Sequence, residues 1–148
     1  MSAQLFGKLP AHGDFVARGL SFEAREALDA WLSASMLDAR DAYGDSFDDR
    51  FDAAPPWQCA GEGVAGAIAA SQDSVGRRFP VLLLCAGTVD DGARCEELLY
   101  AAIGQGWNAD RLAAGAGAEP QGAVARWLGN GRERTGAMPT DLLREMLA

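Results

Sequence analysis

The sequence predicts an α+β domain in three layers, α/β/α, built on an antiparallel sheet of five strands. Three observations carry that prediction. Five short apolar stretches are divided by turn-forming residues, and one long stretch of helical spacing lies between the second and the third. The last of the five, residues 79–86, is apolar almost throughout, as a central strand covered on both faces would be. Behind it, helical spacing dominates the rest of the chain.

Residues 4–9 and 14–20 can each be extended, and Pro10, Ala11, His12 and Gly13 between them have the character of a hairpin bend. From Ser21 the spacing turns helical. Leu28, Trp31, Leu32, Ser35, Met36, Ala39 and Tyr43 recur at three- and four-residue steps, and Glu23, Arg25, Glu26, Asp29, Asp38 and Arg40 take the rest of the wheel. Ser21 can cap this helix and Gly44 can end it. Residues 45–56 hold too many aspartates and prolines for a regular element and are expected as a surface connection.

Residues 57–60, 64–71 and 79–86 follow as three strands, turning at Gly61-Glu62-Gly63 and at Asp73-Ser74-Val75-Gly76. Thr88 to Asp91 has the spacing of a capping pattern, and the helix after it aligns Cys95, Leu98, Leu99, Ala102 and Ile103. Short helices are expected over residues 108–114, 120–128 (stopped by Gly129) and 140–148, with a loop at 115–119. Strand, strand, helix, three strands and helices is the order of longin- and profilin-like domains, here in one domain spanning residues 1–148.

The formal net charge of −8, with cations scattered rather than striped, opposes a phosphate backbone, so no nucleic acid is expected as partner. The longest apolar run is too short to span a bilayer, and the first residues lack the basic and apolar segments of a signal peptide. A cytoplasmic location without membrane insertion is the expectation. Cys59, Cys85 and Cys95 form no CxxC pair and read as small buried residues. With one histidine in the chain they complete no closed zinc site, and residues 45–52 lack the glycine and the terminal glutamate of a calcium loop. No metal or other cofactor is expected.

Gly61-Glu62-Gly63-Val64-Ala65-Gly66 satisfies G-x-G-x-x-G letter for letter. A dinucleotide fingerprint also needs a buried strand before it, a helix after it and an acidic residue about twenty positions on. Prolines precede this stretch closely, a broken apolar run follows it, and Leu83-Leu84-Cys85-Ala86 fills the acidic position, so a hairpin turn is expected instead. No nucleophile-elbow context surrounds Ser71, Ser74 or any cysteine that could pair with His12.

Two polar clusters survive these tests. One contains Gly7, Lys8, Pro10, His12, Gly13, Asp14 and Arg18; the other contains Ser71, Asp73, Gly76, Arg77, Arg78, Phe79 and Pro80. Both fall at strand ends or turns. Asp14 and Asp73 have arginines nearby in sequence, and a bidentate arginine–carboxylate bond can pin a turn to a sheet. The residues are therefore either fold staples or a polar surface where a partner docks. The alternative is a small-ligand or enzymatic pocket around His12, Asp14, Ser71, Asp73 and Arg77, where arginine and turn amides could hold an anion.

"FGKLPAHGDFVARGL" at residues 6–20 and "SQDSVGRRFP" at residues 71–80 resemble the TagF family of type VI secretion-associated proteins. "AWLSASMLDAR" and "FDAAPPW" between them also look like the family's segments, and the resemblance spans roughly residues 4–110. It implies a cytoplasmic accessory protein, generally a repressive post-translational regulator. Such proteins bind a component such as the forkhead-associated scaffold and oppose threonine-phosphorylation activation. The motif positions carried over are Gly7, Lys8, Pro10, Gly13, Asp14, Phe15 and Arg18, then Ser71, Asp73, Gly76, Arg77, Phe79 and Pro80. No catalytic residue comes with the resemblance, so a non-enzymatic binding module is expected, its oligomeric state open.

Overall fold

The computed structural model of the chain describes residues 2–148. Its sheet has seven strands in the order β2-β1-β5-β4-β3-β6-β7, each antiparallel to its neighbours. These are β1 (Gln4–Gly7), β2 (Val16–Arg18), β3 (Trp57–Gly61), β4 (Val64–Ala69), β5 (Val81–Cys85), β6 (Arg126–Gly129) and β7 (Arg132–Thr135). All five expected strands are present and contiguous in the sheet, but the expected count of five is corrected to seven.

The two additional strands replace the helix expected over residues 120–128. They form a hairpin that adds to the free edge of β3, with Cys59 opposite Trp127. Asn130 and Gly131 make the bend, both at positive φ (52° and 72°), the conformation that a tight two-residue hairpin turn requires. The hairpin is fixed from inside by Trp127, which is 1% exposed, donates its indole N–H to the Gly136 carbonyl at 3.2 Å and packs against Trp31 at 5.4 Å between ring centroids.

Helix α1 (Phe22–Tyr43) starts and stops as expected: the Ser21 hydroxyl accepts the Ala24 N–H at 3.1 Å, and Gly44 closes the C-terminus. The connection at residues 45–56 is not irregular throughout, a second correction. A short 3₁₀ turn leads into α2 (Phe47–Ala53), whose Phe47 and Phe51 stack at 5.6 Å and bury against the sheet. Asp48 and Asp49, which argue against a helix by propensity, occupy its first turn, where the backbone N–H groups favour negative charge. The Thr88 capping box leads into α3 (Gly92–Gln105), and Asn108 caps α4 (Ala109–Ala116) by accepting the Arg111 N–H at 2.8 Å. At the C-terminus, helix occupies only α5 (Leu142–Met146), shorter than expected.

Strand alternation divides the core in two. Phe6, Ile68 and Leu82 face α1, α2 and α5, together with Trp31, Phe51 and Trp127. Leu5, Ala67, Val81, Leu83 and Cys85 face α3 and α4, against Leu99 and Leu112. Helices thus cover both faces, and β4, in the middle, is buried at every position. None of the described helices is long and apolar enough to cross a membrane.

Candidate functional site

The two polar clusters meet at one end of the sheet. β1 runs beside β5, and the bend after β1 therefore lies next to the loop that enters β5. The approach is close at Gly7, where φ is +139° and any Cβ would collide with the Pro80 carbonyl; only glycine lets the strands pair there. Two hydrogen bonds interlock the loops, from the Ser74 N–H to the His12 carbonyl at 2.8 Å and from Arg77 Nη2 to the Gly13 carbonyl at 2.7 Å.

Asp73 organises the junction. It is 1% exposed, and its Oδ1 accepts the N–H groups of Val75 and Arg77, each at 3.0 Å. Its Oδ2 lies 2.7 Å from Arg77 Nε and 3.1 Å from Nζ of Lys8, itself buried. Burial opposes the charged carboxylate, but the Arg77 N–H, the Lys8 ammonium, the Arg77 guanidinium and the Val75 N–H together outweigh it. They hold the Asp73 carboxyl well below the usual carboxylate range. The buried ammonium also lies 4.8 Å from the centroid of Phe15, which stacks on Phe6 and meets Phe79 edge to face. A charged, fully hydrogen-bonded knot thus sits under an aromatic cover.

The remaining site residues diverge from this knot. His12 Nε2 accepts the Ala109 N–H at 3.0 Å, so the bend reaches across to the first turn of α4. Arg18 Nε binds Asp110 of the same helix at 2.6 Å. Arg78 points the other way and forks onto Asp52 of α2, with both contacts at 2.8 Å. That hydrogen bond holds the Asp52 carboxyl below its ordinary value. The bidentate pair is therefore Arg78–Asp52. Arg77 grips Asp73 through Nε alone and spends Nη2 on Gly13. Asp14 has no arginine partner among the described residues; its carboxylate accepts the adjacent Phe15 N–H at 2.8 Å.

The five residues of the alternative pocket do not share the walls of the cleft that Ser71 lines. This cleft, of about 440 Å³, is lined by Ser71 with Pro10, Phe51, Asp52, Ala70, Gln72 and Ile103, and His12, Asp14, Asp73 and Arg77 are not on its walls. The Ser71 hydroxyl is buried and has no hydrogen-bond partner among the described residues. No group of three or more His, Cys, Asp or Glu side chains among the described residues is arranged to hold a metal ion.

What the interlocked loops present outward is Gly13, Asp14, Phe15, Ser74, Val75, Gly76 and Arg77, all exposed. Val75, at 71% exposure, stands at the tip as an apolar side chain without cover. The sequence alone missed Val75 as a candidate. Its signal is an apolar residue inside a four-residue polar turn.

No curated protein matches the chain. A crystal structure of PA0076 from Pseudomonas aeruginosa PAO1 aligns with 97% of this chain and 77% of its own, at 27% sequence identity and a TM-score of 0.68. That alignment extends past residue 118 into the C-terminal hairpin region. The family model for the TagF N-terminal domain, type VI secretion system-associated, matches residues 4–118, which contain both interlocked loops and the Asp73 knot between them. On that match, over more than three-quarters of its length, the chain belongs to the TagF N-terminal domain family associated with type VI secretion systems.

Proposed function

We propose that the chain is a non-enzymatic, cytoplasmic regulator of a type VI secretion system, repressive in action, that docks a scaffold protein bearing a forkhead-associated domain. The single observation that carries this reading is the interlocking of the two motif loops. The buried Lys8–Asp73 ion pair, joined from the surface by Arg77, fixes them, and they hold Asp14, Phe15 and Val75 out to solvent in a preset arrangement. A surface organised before its partner arrives loses less conformational freedom on binding. A ligand pocket has weaker support, because both Asp73 oxygens and His12 Nε2 are already engaged within the fold and only Ser71 of the five lines the cleft.

Affinity capture tests the reading. The tagged chain, expressed in a secreting strain, should retain the forkhead-associated scaffold, and Val75→Asp should release it without changing the melting temperature. Deletion of the gene should raise secretion of effectors. Unchanged secretion together with no scaffold recovered would overturn the proposal.

A further inference from the structure

Cys85 and Cys95 lie outside the docking loops, and the proposed function makes no use of them. They face each other from the end of β5 and the first turn of α3, both fully buried, with their sulfurs 3.3 Å apart. Arg94, an exposed residue, brings its guanidinium to 3.5 Å from Cys85 Sγ and to 3.3 Å from the Ala116 carbonyl. The Cys85 sulfur is thus one side chain beneath the surface. Thiols serving only as small apolar filler need neither a sulfur partner nor a cation.

We propose that Cys85 and Cys95 form a dithiol site that a peroxide oxidises to a disulfide. The roles follow from the geometry, because the Arg94 guanidinium stands against Cys85 Sγ, where it favours the thiolate. The hydrogen bond shared with Cys95 draws the Cys85 thiol's pKa down, burial pushes back, and the Arg94 charge adds to the draw. The same bond, with burial, pushes Cys95 up, so its proton stays in place. Cys85 is the nucleophile and Cys95 the resolving thiol. Cys59 packs into the opposite core, and burial pushes its thiol up.

The Cys85 thiolate attacks one oxygen of hydrogen peroxide, the O–O bond breaks, and the departing hydroxide takes a proton to become water. The Cys95 sulfur then attacks the Cys85 sulfenic acid. The S–S bond forms, and the displaced hydroxide leaves with the Cys95 proton as a second water. Two thiols lose two electrons in all, and one peroxide becomes two waters. The sulfurs must close by roughly 1 Å to reach bonding distance. Both sulfurs are fully buried, so peroxide reaches Cys85 when the exposed Arg94 side chain that lies against its sulfur swings aside.

Intact full-length protein treated with hydrogen peroxide, then denatured and alkylated, tests the site. Of the three free thiols, one should remain. Trypsin cuts after Arg94, so the map should show the Cys85 and Cys95 peptides joined. Cys95→Ser should stop at a sulfenic acid on Cys85 that dimedone traps, and Arg94→Gln should slow oxidation several-fold at neutral pH and less at high pH, where the thiolate forms without the cation. Three free thiols after excess peroxide, a linkage through Cys59, or dimedone on Cys95 in Cys85→Ser would overturn the proposal.

Discussion

Asp73 remains charged while almost wholly removed from water because four donors converge on its two oxygens. Its carboxyl has a lower pKa folded than unfolded. Its contribution to stability is therefore complete above the ordinary carboxylate value of about 4 and is lost as the pH falls through the lowered folded value. Asp73→Asn should melt below the wild type at neutral pH, and the gap should narrow steadily between about pH 4 and about pH 2. Thermal unfolding followed across that range checks this, and a gap that stays constant would contradict it. His12 makes a separate contribution. Removing its acceptor in His12→Ala leaves the first N–H of α4 without a side-chain partner and should cost about 1 kcal/mol in urea unfolding, the ordinary loss for a helix cap. Neither role is visible in sequence. His12 and Ala109 are 97 positions apart, and Arg18 and Asp110 are 92 apart, so only the fold reveals which partner each side chain finds.

At the scale of elements, local signals located what local chemistry determines. Ser21, Gly44, Thr88 and Asn108 mark helix ends because caps act over three or four residues. The core strands carry enough apolar alternation to place them. Two elements were misread for physical reasons. In α2, aspartate propensity counted against a helix whose first turn welcomes the charge and whose phenylalanines are held by packing. In the β6–β7 hairpin, Gly129 reads as a helix stop, while the deciding information is Asn130-Gly131 and the open edge of β3. Two substitutions test this account of the hairpin. Trp127→Ala should cost about 3–5 kcal/mol by opening a cavity against Trp31 and Cys59. Gly131→Ala should cost about 1–2 kcal/mol through its left-handed backbone. Denaturant titration reads both, and a near-neutral Trp127→Ala would mean that the hairpin does not share the core.

Across the whole molecule, the two sides of the sheet are built differently. On the β6–β7 side, Arg132 and Arg134 of β7 pair with Glu145 of α5. The β1–β2 end carries the knot and the exposed loops. The sequence placed Lys8, Asp73, Arg77 and their neighbours at turns and grouped them by type, but not the interlock itself, which depends on β1 pairing with β5 rather than with β3. Buried and outward-facing positions alternate within the same loops. Asp73 and Lys8 are buried and hold the bend, whereas Val75 and Asp14 face outward and are free to meet a partner. The central claim is that this outward surface binds a scaffold with a forkhead-associated domain. Calorimetric titration of that purified scaffold into the wild type, Val75→Asp and the remote exposed control Met138→Asp is the most direct measurement. Val75→Asp should weaken binding at least about tenfold, a loss of roughly 1.4 kcal/mol, with its melting temperature unchanged, and Met138→Asp should bind like the wild type. Equal affinity for all three proteins, or no binding by the wild type, would contradict it.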